Sequence, residues 1–158
     1  MSDKEIAAAV GHIPSGLFIV CAQSEDGQKD GYLASWVQQV SFKPLLVALA
    51  VNPDRPGYET IKSGRPFTIN VVGENETAYL RHFWKGYPPG QGPFGEVNHE
   101  VSENGGILMK DALSTIECKF KESLKPGDHE IVIAEVVQSY VHHDAKSKVH
   151  LRKNGLDY

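Results

Sequence analysis

Residues 114–124 alternate with a period of two: Ile116, Cys118 and Phe120 fall on one side, Glu117, Lys119 and Lys121 on the other. That repeat belongs to a strand, because successive side chains of a strand leave opposite faces, whereas a helix would scatter these residues around its circumference. Other stretches carry the same message. Residues 131–141 are a long β-branched run, and residues 45–52 are an apolar run closed off by Pro44 and Pro53. The second is of strand length rather than helix length and falls well short of a bilayer span. Residues 16–24, 32–41 and 67–72 also read as strands, with 149–151 as a short last one, and residues 25–31 form a polar turn rich in Gly and Asp. Helical signals are brief: residues 6–10, residues 56–63 with Gly64 just past the end, and residues 74–85 with Ala78, Leu80, Phe83 and Trp84 near helical spacing.

Six or seven strands with three short helices do not make a regular βαβ alternation. The expected fold is therefore all-β with short helices, an antiparallel barrel or sandwich, and a barrel has the advantage of leaving no free edge. The 158 residues fit one domain spanning 1–158, and a hydrophobic share of 41% excludes a disordered chain. Acidic and basic residues are interspersed at a net charge of −4, which argues against a nucleic-acid-binding face, and no stretch reads as a membrane span. Cys21 and Cys118 are too few for a disulfide scaffold and read as buried thiols; with no leader-like N-terminus, the chain is expected to be cytoplasmic.

Some motifs fail on their context. Gly90-Gln91-Gly92-Pro93-Phe94-Gly95 matches a dinucleotide fingerprint literally, but prolines surround it and no helix signal follows to meet a pyrophosphate, so a flexible loop is expected. The seven histidines form no HxxxH or HExxH pair and no CxxC accompanies them, so no metal site is expected. Ser15 and Ser35 lack the GxSxG elbow of a hydrolase.

Residues 32–44 behave differently. There, small and hydroxyl residues alternate with aromatics before Pro44 opens the apolar strand, and Asn52-Pro53-Asp54-Arg55-Pro56-Gly57-Tyr58 follows soon after. A phosphate needs a fixed cation and several donors. Arg55 at a strand-to-helix turn supplies the first; Ser35, Ser41 and the amides of the following helix can supply the others. The segment from Ala34 to Val40 can offer a planar heterocycle an apolar wall and backbone groups for its polar edge. Each of these residues also has a plain structural use, Trp36 as core, Arg55 as a solvated cation, Ser35 as a strand-surface hydroxyl.

Along most of its length the sequence resembles the flavin reductase-like FMN-binding split barrels. Ile13-Pro14-Ser15-Gly16 with the following branched residues is similar to the family's first strand, and Leu33-Ala34-Ser35-Trp36-Val37-Gln38-Gln39-Val40-Ser41 to its flavin-binding strand. Ser63-Gly64-Arg65-Pro66-Phe67 through Asn70 resembles its "sG-x-x-F-x-x-N" strand, and Gly106-Ile107-Leu108 with Ala112, Leu113, Glu117 and Cys118 its "G-x-x-I-L-x-x-A-L-x-x-x-E-C" stretch. Gly127-Asp128-His129 resembles the "G-D-H" signature, and Arg152 through Tyr158 the "R-x-G-x-x-Y" ending. Within that family the chain most resembles the C-terminal flavin reductase domain of diflavin flavoproteins, the flavodiiron fusions.

The resemblance implies a six-stranded antiparallel Greek-key split β-barrel, a homodimer, and FMN bound near the dimer interface. It implies hydride transfer from NADH or NADPH to the flavin, and a separate electron acceptor: free flavin, a flavodiiron-type protein or another redox partner. The flavin-binding positions are then Leu33, Ala34, Ser35 and Trp36, followed by Gln39, Val40 and Ser41, with Asn52, Arg55 and Tyr58 at the phosphate end. His129, aimed by the turn before it, is the expected catalytic residue beside the flavin. One departure is Leu33-Ala34-Ser35-Trp36 in place of the "T-x-S-S" of stand-alone reductases, one hydroxyl fewer, which favours bound FMN over FAD or an exchanging flavin. A flavin carrier that never meets a nicotinamide is the alternative, and a barrel for haem or another planar ligand is a third reading.

Overall fold

The computed structural model describes residues 2–76 and 79–157; Ala78 and Tyr158, used above, lie outside them. In chain order the elements are α1 Asp3–Gly11, β1 Phe18–Gln23, β2 Lys29–Ala34, β3 Val37–Phe42, β4 Leu45–Val51, α2 Tyr58–Lys62, β5 Phe67–Val71, α3 Leu80–Trp84, β6 His99–Val101, β7 Ile107–Met109, β8 Ser114–Leu124 and β9 Glu130–Val141. Every pairing is antiparallel. One sheet has seven strands in the order β2-β1-β5-β8-β9-β4-β3, and β6 and β7 form a small second one.

The strand order carries a geometric consequence. β2 and β3 stand at opposite edges of the large sheet, yet only Ser35 and Trp36 join them. Three peptide steps from Ala34 to Val37 reach at most about 11 Å. The sheet must therefore curl until its two edges meet at this corner. No ladder pairs β2 with β3 among the described residues, so the curl stays open.

The large sheet has seven strands where six were expected. The stretch 32–41, expected as one strand, breaks at Ser35–Trp36 into the end of one edge strand and the start of the other. Residues 149–151 are not a strand; only an isolated bridge, Ser15 to His150, forms there. Of the helix expected over 74–85, the described residues are helical over Leu80–Trp84.

Period-two burial explains the two cores. Val20 and Ala22 of β1 point into the curl, with Tyr32, Leu49, Phe67, Ile69 and Val132. Ile19 and Cys21 point outward and are covered by Leu80 and Phe83 of α3 and by Ile107 and Met109 of β7. β1 is thus buried on both faces, which is why it reads as a continuous apolar run. On β8, Cys118 faces the inner core as the alternation requires. Its neighbour Glu117 is fully buried on the other face, where it accepts from the Ser102 hydroxyl, the Asn104 amide (3.2 Å) and the Gly106 N–H (3.1 Å).

The tail, residues 142–157, is stitched down by backbone hydrogen bonds. Lys148 N–H donates to Val72 O (2.9 Å), Ser15 and His150 exchange two bonds (3.0 and 2.7 Å), and Gly155 N–H donates to Ala7 O (2.8 Å). Gly11 and Gly155 permit the last approach: a Cβ on Gly11 would stand 2.6 Å from Arg152 O, and one on Gly155 2.7 Å from Gly11 N. None of the described helices is long and apolar enough to cross a membrane.

Near the start of β9, Glu130 accepts from Lys62 and from the Tyr58 hydroxyl, while Lys62 also donates to Ser123 Oγ at 2.7 Å. The Lys62 ammonium, then the Ser123 and Tyr58 hydroxyls, hold the Glu130 carboxyl down at about 2 against an ordinary 4.5. A carboxyl depressed by folding stabilises the fold above its unfolded pKa, and that contribution disappears as pH falls through the folded value. Glu130→Gln is expected to lower the urea midpoint at pH 7, with the gap to the parent closing between about pH 4.5 and pH 2. A gap independent of pH would mean that the carboxylate charge is not what the cluster uses.

Candidate functional site

A cleft of about 860 Å³ opens beside the Ser35–Trp36 corner. The end of β2 supplies Leu33, Ala34 and Ser35, the turn after β4 supplies Arg55, α3 supplies Leu80, Arg81 and Trp84, and the tail crosses the remaining side. This size is within the usual range for sites that take a cofactor-sized ligand, about 300–1,000 Å³. Leu17, Leu33, Ala34, Leu80 and Trp84 make its walls apolar.

Its charge is one-sided. Arg55, Arg81, Lys148, Arg152 and Lys153 line it, against Asp157 as the carboxylate among the described lining residues. None of the five cations has an ion-pair partner among the described residues. Arg55, Lys148 and Arg152 are half-buried. A partly desolvated cation without a counter-charge is unfavourable, so this arrangement favours an anionic ligand. His150 joins them with its imidazole pKa held below the usual value, first by burial and then by the charges of Arg152 and Lys148.

Trp36 stands at the corner, and the guanidinium of Arg152 lies over its ring at 5.1 Å. A shallower cleft of about 600 Å³ is lined by Trp36, Val37, Gln38, Pro14 and Ala48, and it shares Ser35 and Lys148 with the larger one. The two clefts are therefore contiguous.

The residues singled out in the sequence divide into groups. Leu33, Ala34, Ser35 and Arg55 line the large cleft and Trp36 the small one. Asn52 supports the Arg55 turn: its side-chain oxygen accepts from Asp54 N–H at 2.9 Å and its carbonyl from Arg55 N–H at 3.0 Å. Gln39, Val40 and Ser41 lie along β3 and line neither cleft; a register shift between Gln39 and Ser41 leaves Val40 half-exposed. Tyr58 is directed to Glu130 instead, and that hydrogen bond pushes its phenol up to about 12. His129 also lines neither cleft. Its ring packs 5.0 Å from the Trp36 ring, and its Nδ1 lies 3.0 Å from Asp128 Oδ1.

Sequence reasoning did not assign the tail cations Lys148, Arg152 and Lys153, nor Arg81 and Trp84 of α3, to the site. A signal was present in the His-Leu-Arg-Lys run at 150–153, three ionisable side chains in four residues, but nothing local says where a tail docks.

Among the described residues no group of acidic, Cys and His side chains could hold a metal ion.

Comparison with known proteins gives a consistent picture. The family described as flavin reductase like domain matches residues 10–155. Diflavin flavoprotein A 1 of Synechocystis sp. is 35% identical over 158 residues, covering 99% of this chain and 27% of the relative. The chain thus spans about a quarter of that relative's length. In fold it is similar to the NADH:FAD oxidoreductase of Streptomyces globisporus C-1027, with a TM-score of 0.82 at 24% identity over 91% of this chain and 85% of that one. It is also similar to a flavin reductase complexed with NADP+, with a TM-score of 0.78 at 22% identity over 96% and 95% of the two chains.

Proposed function

The chain belongs to the family of flavin reductase-like domains, and from that premise we propose that it binds FMN in the cleft beside Trp36 and passes electrons from NADH or NADPH to a separate acceptor. The observation that carries this reading is the set of half-buried, unpaired cations in an otherwise apolar cleft, the chemistry required by a phosphorylated ring system. Arg55 is the proposed phosphate ligand, with Ser35 as a hydroxyl partner. Leu33, Ala34 and Trp36 are the proposed contacts of the ring. His129 acts one step back, holding the Trp36 ring through their 5.0 Å contact.

When bound, the flavin supplies the hydride-accepting N5 and the redox chemistry; the protein's part is to orient it, shield it and hold its charge. Leu80, Trp84 and Leu33 exclude water from the ring face. Arg152 and Lys148 favour negative charge in the cleft, and reduction of a flavin at neutral pH adds such charge.

The open curl, with its edges joined at one corner, supports a split-barrel reading of the fold. The exposed Val40, Phe42 and Leu45 on the β3–β4 hairpin support a homodimer, since a large apolar side chain such as Phe42, 84% exposed, gains from being covered. The electron acceptor is proposed to be free flavin or a flavodiiron-type protein.

The absorption spectrum of the purified protein, followed by anaerobic addition of NADH or NADPH, tests the proposal. A flavin spectrum that bleaches with a nicotinamide is expected. A flavin that stays oxidised with both donors would favour the flavin-carrier reading instead.

A further inference from the structure

The tail cations outnumber what one flavin phosphate needs, and they come from a different segment of the chain than the proposed phosphate ligand. Arg55 comes from the turn after β4, whereas Lys148, Arg152 and Lys153 come from the tail, brought there by Gly11, Gly155 and the Ser15–His150 pair. The tail is therefore a fixed segment that presents positive charge to the cleft. Resting on the flavin reductase reading above, we propose that this segment makes the site selective for the phosphorylated dinucleotide, NADPH, by holding its 2′-phosphate, with Arg152 and Lys153 as the selecting residues.

The chemistry separates the two donors. They differ only at the adenosine 2′ position, a hydroxyl in one and a phosphate dianion in the other. A site that prefers the hydroxyl typically offers a carboxylate to accept from the ribose, and that carboxylate repels the phosphate; a site that prefers the phosphate offers Arg or Lys. Here the described lining has five cations to one carboxylate, Asp157, which is exposed near the end of the tail. Arg152 is held in place twice, by its backbone carbonyl packed against Gly11 and by its guanidinium over Trp36. A guanidinium so pinned loses little freedom on meeting a phosphate, and its fork matches two phosphate oxygens. Lys153 is exposed at the rim and has no counter-ion among the described residues, so it can pair with a phosphate that stays near solvent.

Two measurements on the flavin-loaded protein test this. The first is calorimetric titration with adenosine 2′,5′-bisphosphate and with AMP, which carries the 5′-phosphate alone. The bisphosphate is expected to bind about ten-fold tighter or better, as one added charge-assisted pair implies, and Lys153→Ala is expected to remove most of that difference while Lys153→Arg keeps it. The second is anaerobic flavin reduction. The KM for NADPH is expected to lie below that for NADH, and Lys153→Ala to raise the NADPH value about ten-fold while changing the NADH value far less. Lys153 is exposed, so its loss leaves the core packing intact. Equal affinity for AMP and the bisphosphate overturns the inference, as does a KM that favours NADH. If both donors reduce the flavin equally well, the selectivity fails and the reductase reading stands. If neither reduces it, both fail together.

Discussion

Asn70→Leu is expected to cost the fold about 3 kcal/mol, because it leaves the buried Met109 N–H without a partner, at about 1–3 kcal/mol, and removes further hydrogen bonds worth about 1 kcal/mol each. Asn70 is fully buried at the centre of β5, on the face that β7 covers. Its amide nitrogen donates to Ile19 O at 3.0 Å and Thr68 Oγ1 at 3.1 Å. Its amide oxygen accepts from Met109 N–H at 2.9 Å and from the Thr115 hydroxyl at 2.7 Å. One side chain thus ties β1, β5, β7 and β8 together across the outer face of the sheet. Leucine fills a similar volume and makes none of these bonds. Met109 N–H, on a residue only 1% exposed, then has no water to turn to. Thr115 can redirect its hydroxyl toward His142 Nε2, 3.0 Å away, and Ile19 O keeps its ladder pairing with the Asn70 backbone, so the loss falls chiefly on the Met109 amide.

For a chain of this size each kcal/mol lowers the melting temperature by about 2–4 °C, so a fall of about 10 °C is expected in a thermal melt. Asn70→Asp separates hydrogen bonding from shape. It keeps the acceptor for Met109 and loses the donor, and it places a carboxyl in a dry site, so it too is expected to destabilise strongly. If Asn70→Leu melts within about 2 °C of the parent, under 1 kcal/mol, the network contributes specificity but little net stability.

Most of the sheet was legible in the sequence because a half-buried strand has a short, strict period, and the alternation of Ile116, Cys118 and Phe120 around Glu117 and Lys119 admits little else. The break that sets the topology was not legible. Leu33-Ala34-Ser35-Trp36-Val37 contains neither Gly nor Pro, so nothing local separates one edge strand from the other; the separation comes from which neighbours each half pairs with, Phe18 opposite Ala34 and Leu49 opposite Val37. The site shows the same division. Arg55 was visible because a turn at a strand end announces itself in Asn-Pro-Asp-Arg-Pro-Gly. Lys148, Arg152 and Lys153 reach the cleft through the Ser15–His150 and Gly73–Ser147 bridges, contacts more than seventy residues apart in sequence, which no periodicity encodes. The partner of Tyr58 was hidden for a related reason: Tyr58 belongs to the same turn region, but its hydroxyl donates to Glu130, seventy-two positions away.

Arg55→Ala is expected to weaken FMN binding about ten- to a hundred-fold, the loss of a charge-assisted contact worth roughly 1.5–3 kcal/mol. The reasoning starts from the turn. Asn52 accepts from both Asp54 N–H and Arg55 N–H, and Tyr58 N–H donates to Arg55 O at 3.2 Å, so the loop is held by backbone atoms and the Asn52 side chain. The Arg55 side chain makes no ion pair among the described residues and projects into the cleft, half-buried. Its removal therefore leaves the apo fold intact, and the melting temperature without flavin is expected to stay near the parent's. Riboflavin, which has the same ring and no phosphate, provides the matched control. The parent is expected to bind riboflavin more weakly than FMN, and Arg55→Ala is expected to bind the two nearly alike, because the variant lacks the group that distinguishes them. Arg55→Lys keeps the charge without the planar fork and is expected to fall between. Flavin fluorescence titration reads all of these affinities. If Arg55→Ala still prefers FMN over riboflavin by the parent's margin, the phosphate is held elsewhere in the cleft, and Lys148 becomes the cation to test next, because it is half-buried, lacks a counter-ion among the described residues and borders both clefts.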